Sequence, residues 1–138
     1  MRSFVDTNIL LYAVSHDPVE IAKSRSARIL LATGKFHLSV QVLSEFIASA
    51  VKLHKLGMSR KEAGLYAQTW SEEYEVHPLT EEHLGLARAW FEPGKLSWWD
   101  SLIVASANLA DCETIYSEDL NAGQIYGAAK VVNPFANS

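Results

Sequence analysis

The apolar positions fall into two rhythms. Short dense runs at Phe4-Val5, Phe36-His37-Leu38-Ser39-Val40, within residues 74–79, at Thr114-Ile115-Tyr116-Ser117 and at Lys130-Val131-Val132-Asn133 have the length of strands. Longer stretches between them carry apolar residues at helical spacing. Residues 9–14 predict a short helix directly after the first strand. Asp17-Pro18-Val19-Glu20 pairs an N-cap with a proline at the first helical position, so a second helix opens there and runs to about Thr33, where Gly34 stops it. Its expected apolar face is Ile21, Ala22, Ile29 and Leu30. Val42, Leu43, Phe46, Ile47, Ala50 and Val51 predict a long helix over residues 41–56, ended by Gly57. Ser59-Arg60-Lys61-Glu62 is a capping box opening a helix to about Glu72. Thr80-Glu81-Glu82 starts another, which ends near Phe91 before Pro93-Gly94. Ser97 caps a last helix over residues 98–110, apolar nearly all round and therefore expected to be buried on several sides. Strands alternating with helices imply an α/β domain with a mainly parallel sheet of four to five strands and helices on both faces. Gly123 and Gly127 fall in an expected loop.

Length adds that this is a single domain, residues 1–138, large enough for one real core. With 49% hydrophobic and 20% charged residues the chain has the composition of an ordered globular protein, not a disordered one. No apolar run is long enough for a membrane span, and Asp6 interrupts the N-terminus before a signal-peptide core could form. Cys112, the single cysteine, cannot form an internal disulfide, which fits a cytoplasmic location. Asp111 and Glu113 flank it and disfavour a thiolate, so it reads as structural.

The candidate chemistry lies in four acids. Asp6 ends the first strand and Asp119 follows the fourth; Glu45 and Asp100 sit in the first turns of helices. Each has a plain structural reading as well. Asp6 and Asp119 suit an Asx-turn or a cap, Glu45 suits a solvent-facing helical position, and Asp100 completes a capping box with Ser97. Taken together they share one property. In a parallel sheet with right-handed crossovers, strand C-termini and helix N-termini lie on the same rim, where ligands bind. Carboxylates gathered there repel one another unless a cation neutralises them. Oxygen donors with no nearby His or Cys spacing favour Mg²⁺ or Mn²⁺ over Zn²⁺. The five histidines, His16, His37, His54, His77 and His83, show no metal-ligand spacing and read as surface or partly buried residues. The formal charge of -4 does not exclude nucleic acid, because two bound divalent ions would bring it to about 0. Lys52, Lys55, Arg60 and Lys61 form a basic cluster, and Lys23, Arg25 and Arg28 line another helix; both read first as solvated helix faces and second as sites for RNA phosphates. Trp98-Trp99 suits base stacking or core packing. There is no Ser-His-Asp order, nucleophile elbow, Walker loop or dinucleotide fingerprint.

Five stretches in order resemble the motifs of the PIN-domain ribonucleases: Phe4-Val5-Asp6-Thr7-Asn8-Ile9-Leu10, Ser39-Val40-Gln41-Val42-Leu43-Ser44-Glu45-Phe46, Trp99-Asp100-Ser101-Leu102-Ile103-Val104-Ala105-Ser106-Ala107, Tyr116-Ser117-Glu118-Asp119-Leu120-Asn121 and Val132-Asn133-Pro134-Phe135. Within that family the chain resembles the VapC-type toxins of toxin–antitoxin pairs. The resemblance implies a three-layer α/β/α sandwich, a homodimer, and a metal-dependent endoribonuclease with Asp6, Glu45, Asp100 and Asp119 as catalytic Mg²⁺ ligands. It implies that Asn8 and Ser117 orient ligands or water. It implies an RNA substrate and a cognate antitoxin protein, whose peptide would lie along the early helices near residues 9–12, Leu53 and Leu56. One metal or two, and Asp119 alone or with Glu118, stay open. Two other readings use parts of the same pattern. A PIN fold kept as an RNA-binding or interaction module needs no intact acid set. A phosphatase of the haloacid-dehalogenase type wants a second aspartate where Asn8 stands, and a receiver domain wants an acceptor aspartate after the third strand.

Overall fold

The computed structural model describes residues 2–52 and 55–136. Its elements follow in the order β1 (Ser3–Val5), α1 (Thr7–Ala13), a single 3-10 turn at Pro18–Glu20, α2 (Ile21–Ala32), β2 (His37–Ser39), α3 (Val40–Ala50), α4 (Arg60–Glu73), β3 (Glu75–His77), α5 (Glu81–Phe91), α6 (Trp98–Leu109), β4 (Thr114–Tyr116), β5 (Ile125–Tyr126) and β6 (Ala129–Val132). The sheet runs β3-β2-β1-β4-β6-β5. All pairings are parallel except β5 with β6. This is the expected α/β architecture with one further, two-residue strand.

The strand order explains where a site can form. From β1 the chain moves outward through β2 to β3, then crosses back to β4 on the other side of β1. The C-terminal ends of β1 and β4 therefore flank the point where the winding reverses, and helices leaving in opposite directions open a crevice there. Helix α1 packs against both α2 and α3, α3 against α4, and α5 and α6 form a separate pair, with α6 also against β2, β4 and β6. Every residue of β1 and β2 is buried, as strands covered on both faces must be. Phe4, Ile9, Leu10, Leu38, Phe46 and Ile115 are among the largest fully buried side chains. On α6 the seven residues 101–107 are all buried, as its all-round apolar pattern requires. Among the described residues no helix is long and apolar enough to cross a membrane.

Two helices differ from the sequence reading. The α2 face that packs inward is Ser24, Ala27 and Leu31, while Ile21 and Ile29 are 53% and 61% exposed. Small residues let α2 approach α1 closely, so the larger apolar side chains, Ile21 and Ile29, fall on the outer face. Helix α3 stops at Ala50, earlier than residue 56. Its end is closed by backbone bonds from Met58 N to the Ala50 carbonyl and from Gly57 N to the Lys52 carbonyl, both 2.9 Å, and Gly57 adopts φ 58°. Leu53 and His54 lie outside the described residues.

The added strand β5 depends on Asn108 of α6. Its Nδ2 donates to the Tyr126 carbonyl (3.0 Å), and its Oδ1 accepts from Ala128 N (2.9 Å). Between them Gly127 adopts φ 64°, and a Cβ placed there would stand 2.3 Å from Asn108 Oδ1. Gly127→Ala is expected to destabilise the fold by about 1–3 kcal/mol, combining left-handed strain with loss of the Asn108 clamp. Urea unfolding reads this directly; an unchanged midpoint would show that the clamp contributes nothing.

Candidate active site

Asp6 leaves β1 in extended backbone conformation (φ -81°, ψ 162°) and caps α1, its Oδ1 accepting from Thr7 N at 2.7 Å. The capping reading is therefore correct, and it uses only one carboxylate oxygen. The other, Oδ2, accepts from the Ser117 hydroxyl at 2.7 Å and from Asn8 Nδ2 at 3.4 Å. Asn8 Nδ2 also lies 3.1 Å from Asp119 Oδ2, and Asn8 Oδ1 accepts from Glu118 N at 3.1 Å. Asn8 and Ser117 thus tie the end of β1 to the loop after β4.

Glu45, on α3, does not simply face solvent. Its Oε2 accepts from Thr7 Oγ1 (3.1 Å) and its Oε1 from Gln41 Nε2 (3.2 Å). Thr7 Oγ1 also lies 3.2 Å from the Val42 carbonyl, and Gln41 Nε2 reaches the Trp99 carbonyl at 3.1 Å. Gln41 consequently links the Glu45 turn to the segment that delivers Asp100. Thr7 and Gln41 were not singled out in the sequence. A usable signal existed: Gln41 precedes Glu45 by four residues, the spacing of side-chain neighbours on a helix. Asp100 lies in the first turn of α6, where Ser97 Oγ accepts from its backbone N at 3.2 Å.

These four acids, from four separate places in the chain, line one open cavity of about 430 Å³ together with Lys52 and Lys55. Arg60 and Lys61 are exposed at the start of α4 and do not line it. Arg25 and Arg28 are exposed on α2. Lys23 is held elsewhere, 2.5 Å from Glu118, whose Oε1 also accepts from Tyr12 at 2.6 Å. Burial opposes ionisation of Glu118, but the Lys23 and Tyr12 bonds outweigh it and hold its pKa below the ordinary value. Of the two adjacent acids, Asp119 thus lines the shared cavity while Glu118 is neutralised beside it. Trp98 packs edge-on against Phe91 (5.3 Å between centroids), whereas Trp99, next to Asp100, is 60% exposed.

Electrostatics mark the site. Burial pushes the Asp6 pKa from 3.8 up to about 7, against the Ser117 and Thr7 hydrogen bonds that pull it down, and the Asp119 and Asp100 charges add to the rise. Burial also raises Asp100, opposed by its contact with Ser97 and assisted by Asp119. Carboxylates gathered with so little compensation suit a cation. The donors are hard oxygens, as Mg²⁺ and Mn²⁺ prefer. No three of the four acids bring oxygens within 4.8 Å of one another. That spacing fits Mg²⁺, which keeps several waters and takes only one or two carboxylates directly.

The histidines depart from expectation. His37 and His77 meet across β2 and β3, with His37 Nδ1 2.9 Å from His77 Nε2. Strand register brings them together, which linear spacing does not reveal. Cys112 is buried, and burial pushes its thiol up to about 11, in keeping with a structural role.

An α/β domain with an acid-lined crevice at its switch point is the class this geometry defines. Residues 3–128 match the PIN domain family, and the chain belongs to it. No curated protein sequence matches it significantly. Solved structures share the fold. A toxin–antitoxin complex from Klebsiella pneumoniae is 21% identical, with a TM-score of 0.68, covering 97% of this chain and 98% of that one. VapC20 from Mycobacterium tuberculosis, a sarcin–ricin-loop-cleaving toxin, is 20% identical, with a TM-score of 0.66 over 85% of this chain and 89% of that one. FitAcB from Neisseria gonorrhoeae is 16% identical, with a TM-score of 0.68 over 97% and 99%.

Proposed function

We propose that this protein is a divalent-metal-dependent endoribonuclease, acting in the cytoplasm as the toxin of a type II toxin–antitoxin pair. The observation that carries the reading is the convergence of Asp6, Glu45, Asp100 and Asp119 on one cavity. Asp6 and Asp100 would be the principal Mg²⁺ or Mn²⁺ ligands, with Glu45 and Asp119 binding directly or through water. When bound, the ion would supply an activated water and neutralise charge at the scissile phosphate. The chain's own residues do the rest. Ser117 and Asn8 fix the Asp6 carboxylate, and Thr7 and Gln41 fix Glu45. Lys52 and Lys55, on the cavity wall, offset the phosphate charge of an incoming strand. The exposed face of Trp99 offers a surface on which an unpaired base can stack. Single-stranded or loop RNA suits the site because its backbone can enter an open cleft.

The partners follow the same reading. An adjoining cavity of about 280 Å³ has acidic walls at Asp17, Glu20 and Asp119, with Lys55 among them, beside Leu11, Tyr12 and Leu56. It suits an antitoxin segment that pairs basic and apolar side chains. Ile9 and Leu10 belong to the core instead. The toxin–antitoxin complex that shares this fold supports an antitoxin partner; the homodimer rests on the family resemblance alone.

The test is RNA cleavage by the purified protein with Mg²⁺ or Mn²⁺, with EDTA, and by Asp100→Asn. We expect cleavage that EDTA abolishes and that Asp100→Asn lowers at least about a hundredfold. Equal cleavage by both proteins would assign the activity to a contaminant. RNA binding without metal-dependent cleavage would favour a PIN-fold binding module.

A further inference from the structure

We propose a second metal site, for a borderline transition ion such as Zn²⁺, formed by His37, Glu75 and His77 on the β2–β3 edge of the sheet, away from the four acids. Parallel pairing sets His37 opposite Glu75, and His77 two residues further along β3 presents its side chain on the same face. Among the described residues this trio is the group of His, Cys and acid side chains whose donor atoms all lie within 4.8 Å of one another.

Two of the three spacings lie within about 0.4 Å of those of a tetrahedral ligand set. Zn²⁺ with bonds of about 2.0–2.2 Å places its ligand atoms about 3.3 Å apart. Here His37 Nδ1 stands 2.9 Å from His77 Nε2 and 3.4 Å from Glu75 Oε2. Two imidazoles and one carboxylate are the three-ligand set that leaves zinc one open position. The chemistry differs from that of the acid cavity, whose all-oxygen donors suit a hard ion.

Without metal the two rings share one hydrogen bond, so one of the facing nitrogens carries a proton. Moving that proton to the other nitrogen of the same ring frees both lone pairs, with no net proton released. Arg2 is the nearby opposing charge, and its Nε is committed to the Ala110 carbonyl at 2.9 Å. The Glu75 side chain is 64% exposed and gives an entry path. Beside His77 lies a cavity of about 180 Å³ that His83 and Ser106 also line. His83 Nε2 and Ser106 Oγ are buried without a hydrogen-bond partner among the described residues. The cavity has room for ordered water that would satisfy both groups. The ion would tie edge strand β3 to β2, and β2 leads through Ser39 straight into the helix carrying Glu45.

Co²⁺ titration of the full chain, followed by visible absorption and by Zn²⁺ competition, tests the proposal. We expect one equivalent of Co²⁺ to give the intense bands of tetrahedral coordination and Zn²⁺ to bleach them. His77→Ala, at a partly exposed position, should remove the bands and weaken Zn²⁺ at least about tenfold. Glu75→Gln, fully tolerable at an exposed site, should weaken Zn²⁺ in the same direction, and Asp6→Asn should leave the bands in place. Absence of tetrahedral bands in the wild type, their persistence in His77→Ala, or their loss in Asp6→Asn would overturn the assignment.

Discussion

Asp6→Asn is expected to lower RNA cleavage by about a thousandfold or more and, in the same protein, to raise the metal-free melting temperature near pH 8. The two effects have one cause. Asp6 is the most deeply enclosed of the four acids, at 5% exposure, and its pKa rises from 3.8 to about 7 because burial, then the Asp119 and Asp100 charges, outweigh the bonds from Ser117 and Thr7. Below about pH 4 both folded and unfolded chains hold the proton, and Asp6 costs nothing. Between about pH 4 and 7 the unfolded chain has lost it while the folded chain keeps it, so stability falls as pH rises. Above about pH 7 the folded chain carries the whole penalty of a buried charge, on the order of 4 kcal/mol. Asparagine removes the charge but points an amide at the Asn8 amide, so a net gain of about 1–3 kcal/mol is expected, or roughly 5–10 °C. Thermal melts of both proteins in EDTA across pH 4 to 8 should cross, the wild type being the more stable at the acid end and the variant toward neutrality and above. Parallel curves would mean that Asp6 is ionised in the folded state without strain. Adding Mg²⁺ or Mn²⁺ should stabilise the wild type and hardly affect the variant.

How much of this was legible in the sequence depends on whether a feature is local. Asp6, Asp100 and Asp119 coincide with element ends that short-range signals mark: a strand that stops at a carboxylate, a Ser97 cap, a turn after Tyr116. The rim argument then needs only strand–helix alternation to bring them together. The His37–His77 contact has no such marker. It depends on β2 and β3 aligning Ser39 with His77 and His37 with Glu75, a register set by tertiary packing across some forty residues of chain. The inward face of α2 eludes the hydrophobic pattern for another reason. Hydrophobicity favoured Ile21 and Ile29, but close approach to α1 is made by Ser24 and Ala27, where small size decides. Strand β5 is two residues long and exists because Asn108, on a helix, holds both sides of Gly127. Neither α2's facing nor the β5 hairpin positions an acid of the cavity, which is why the candidate site could be read despite them.

Ser117→Ala should cost about 2–4 kcal/mol of stability, a fall of roughly 10 °C or more in melting temperature. The hydroxyl is fully buried and works in both directions. It donates to Asp6 Oδ2 at 2.7 Å, and it accepts from the backbone N of Asp119 (3.1 Å) and Leu120 (3.3 Å) and from Asn8 Nδ2 (3.3 Å). Alanine would leave the Leu120 amide without that acceptor where no water reaches, and would release the loop that carries Asp119. It would also remove the largest influence pulling the Asp6 pKa down, so Asp6 would hold its proton further above pH 7 and bind a cation less readily at neutrality. Activity should therefore fall and shift to higher pH, a change that loss of stability alone does not produce. Combining Ser117→Ala with Asp6→Asn separates the two roles. If the hydroxyl acts mainly by solvating the carboxylate, its removal costs less once the charge is gone, and the double variant is more stable than the sum of the singles. Strict additivity would mean that Ser117 only pins the loop after β4, and that Asp6 is held in place by Thr7 and Asn8.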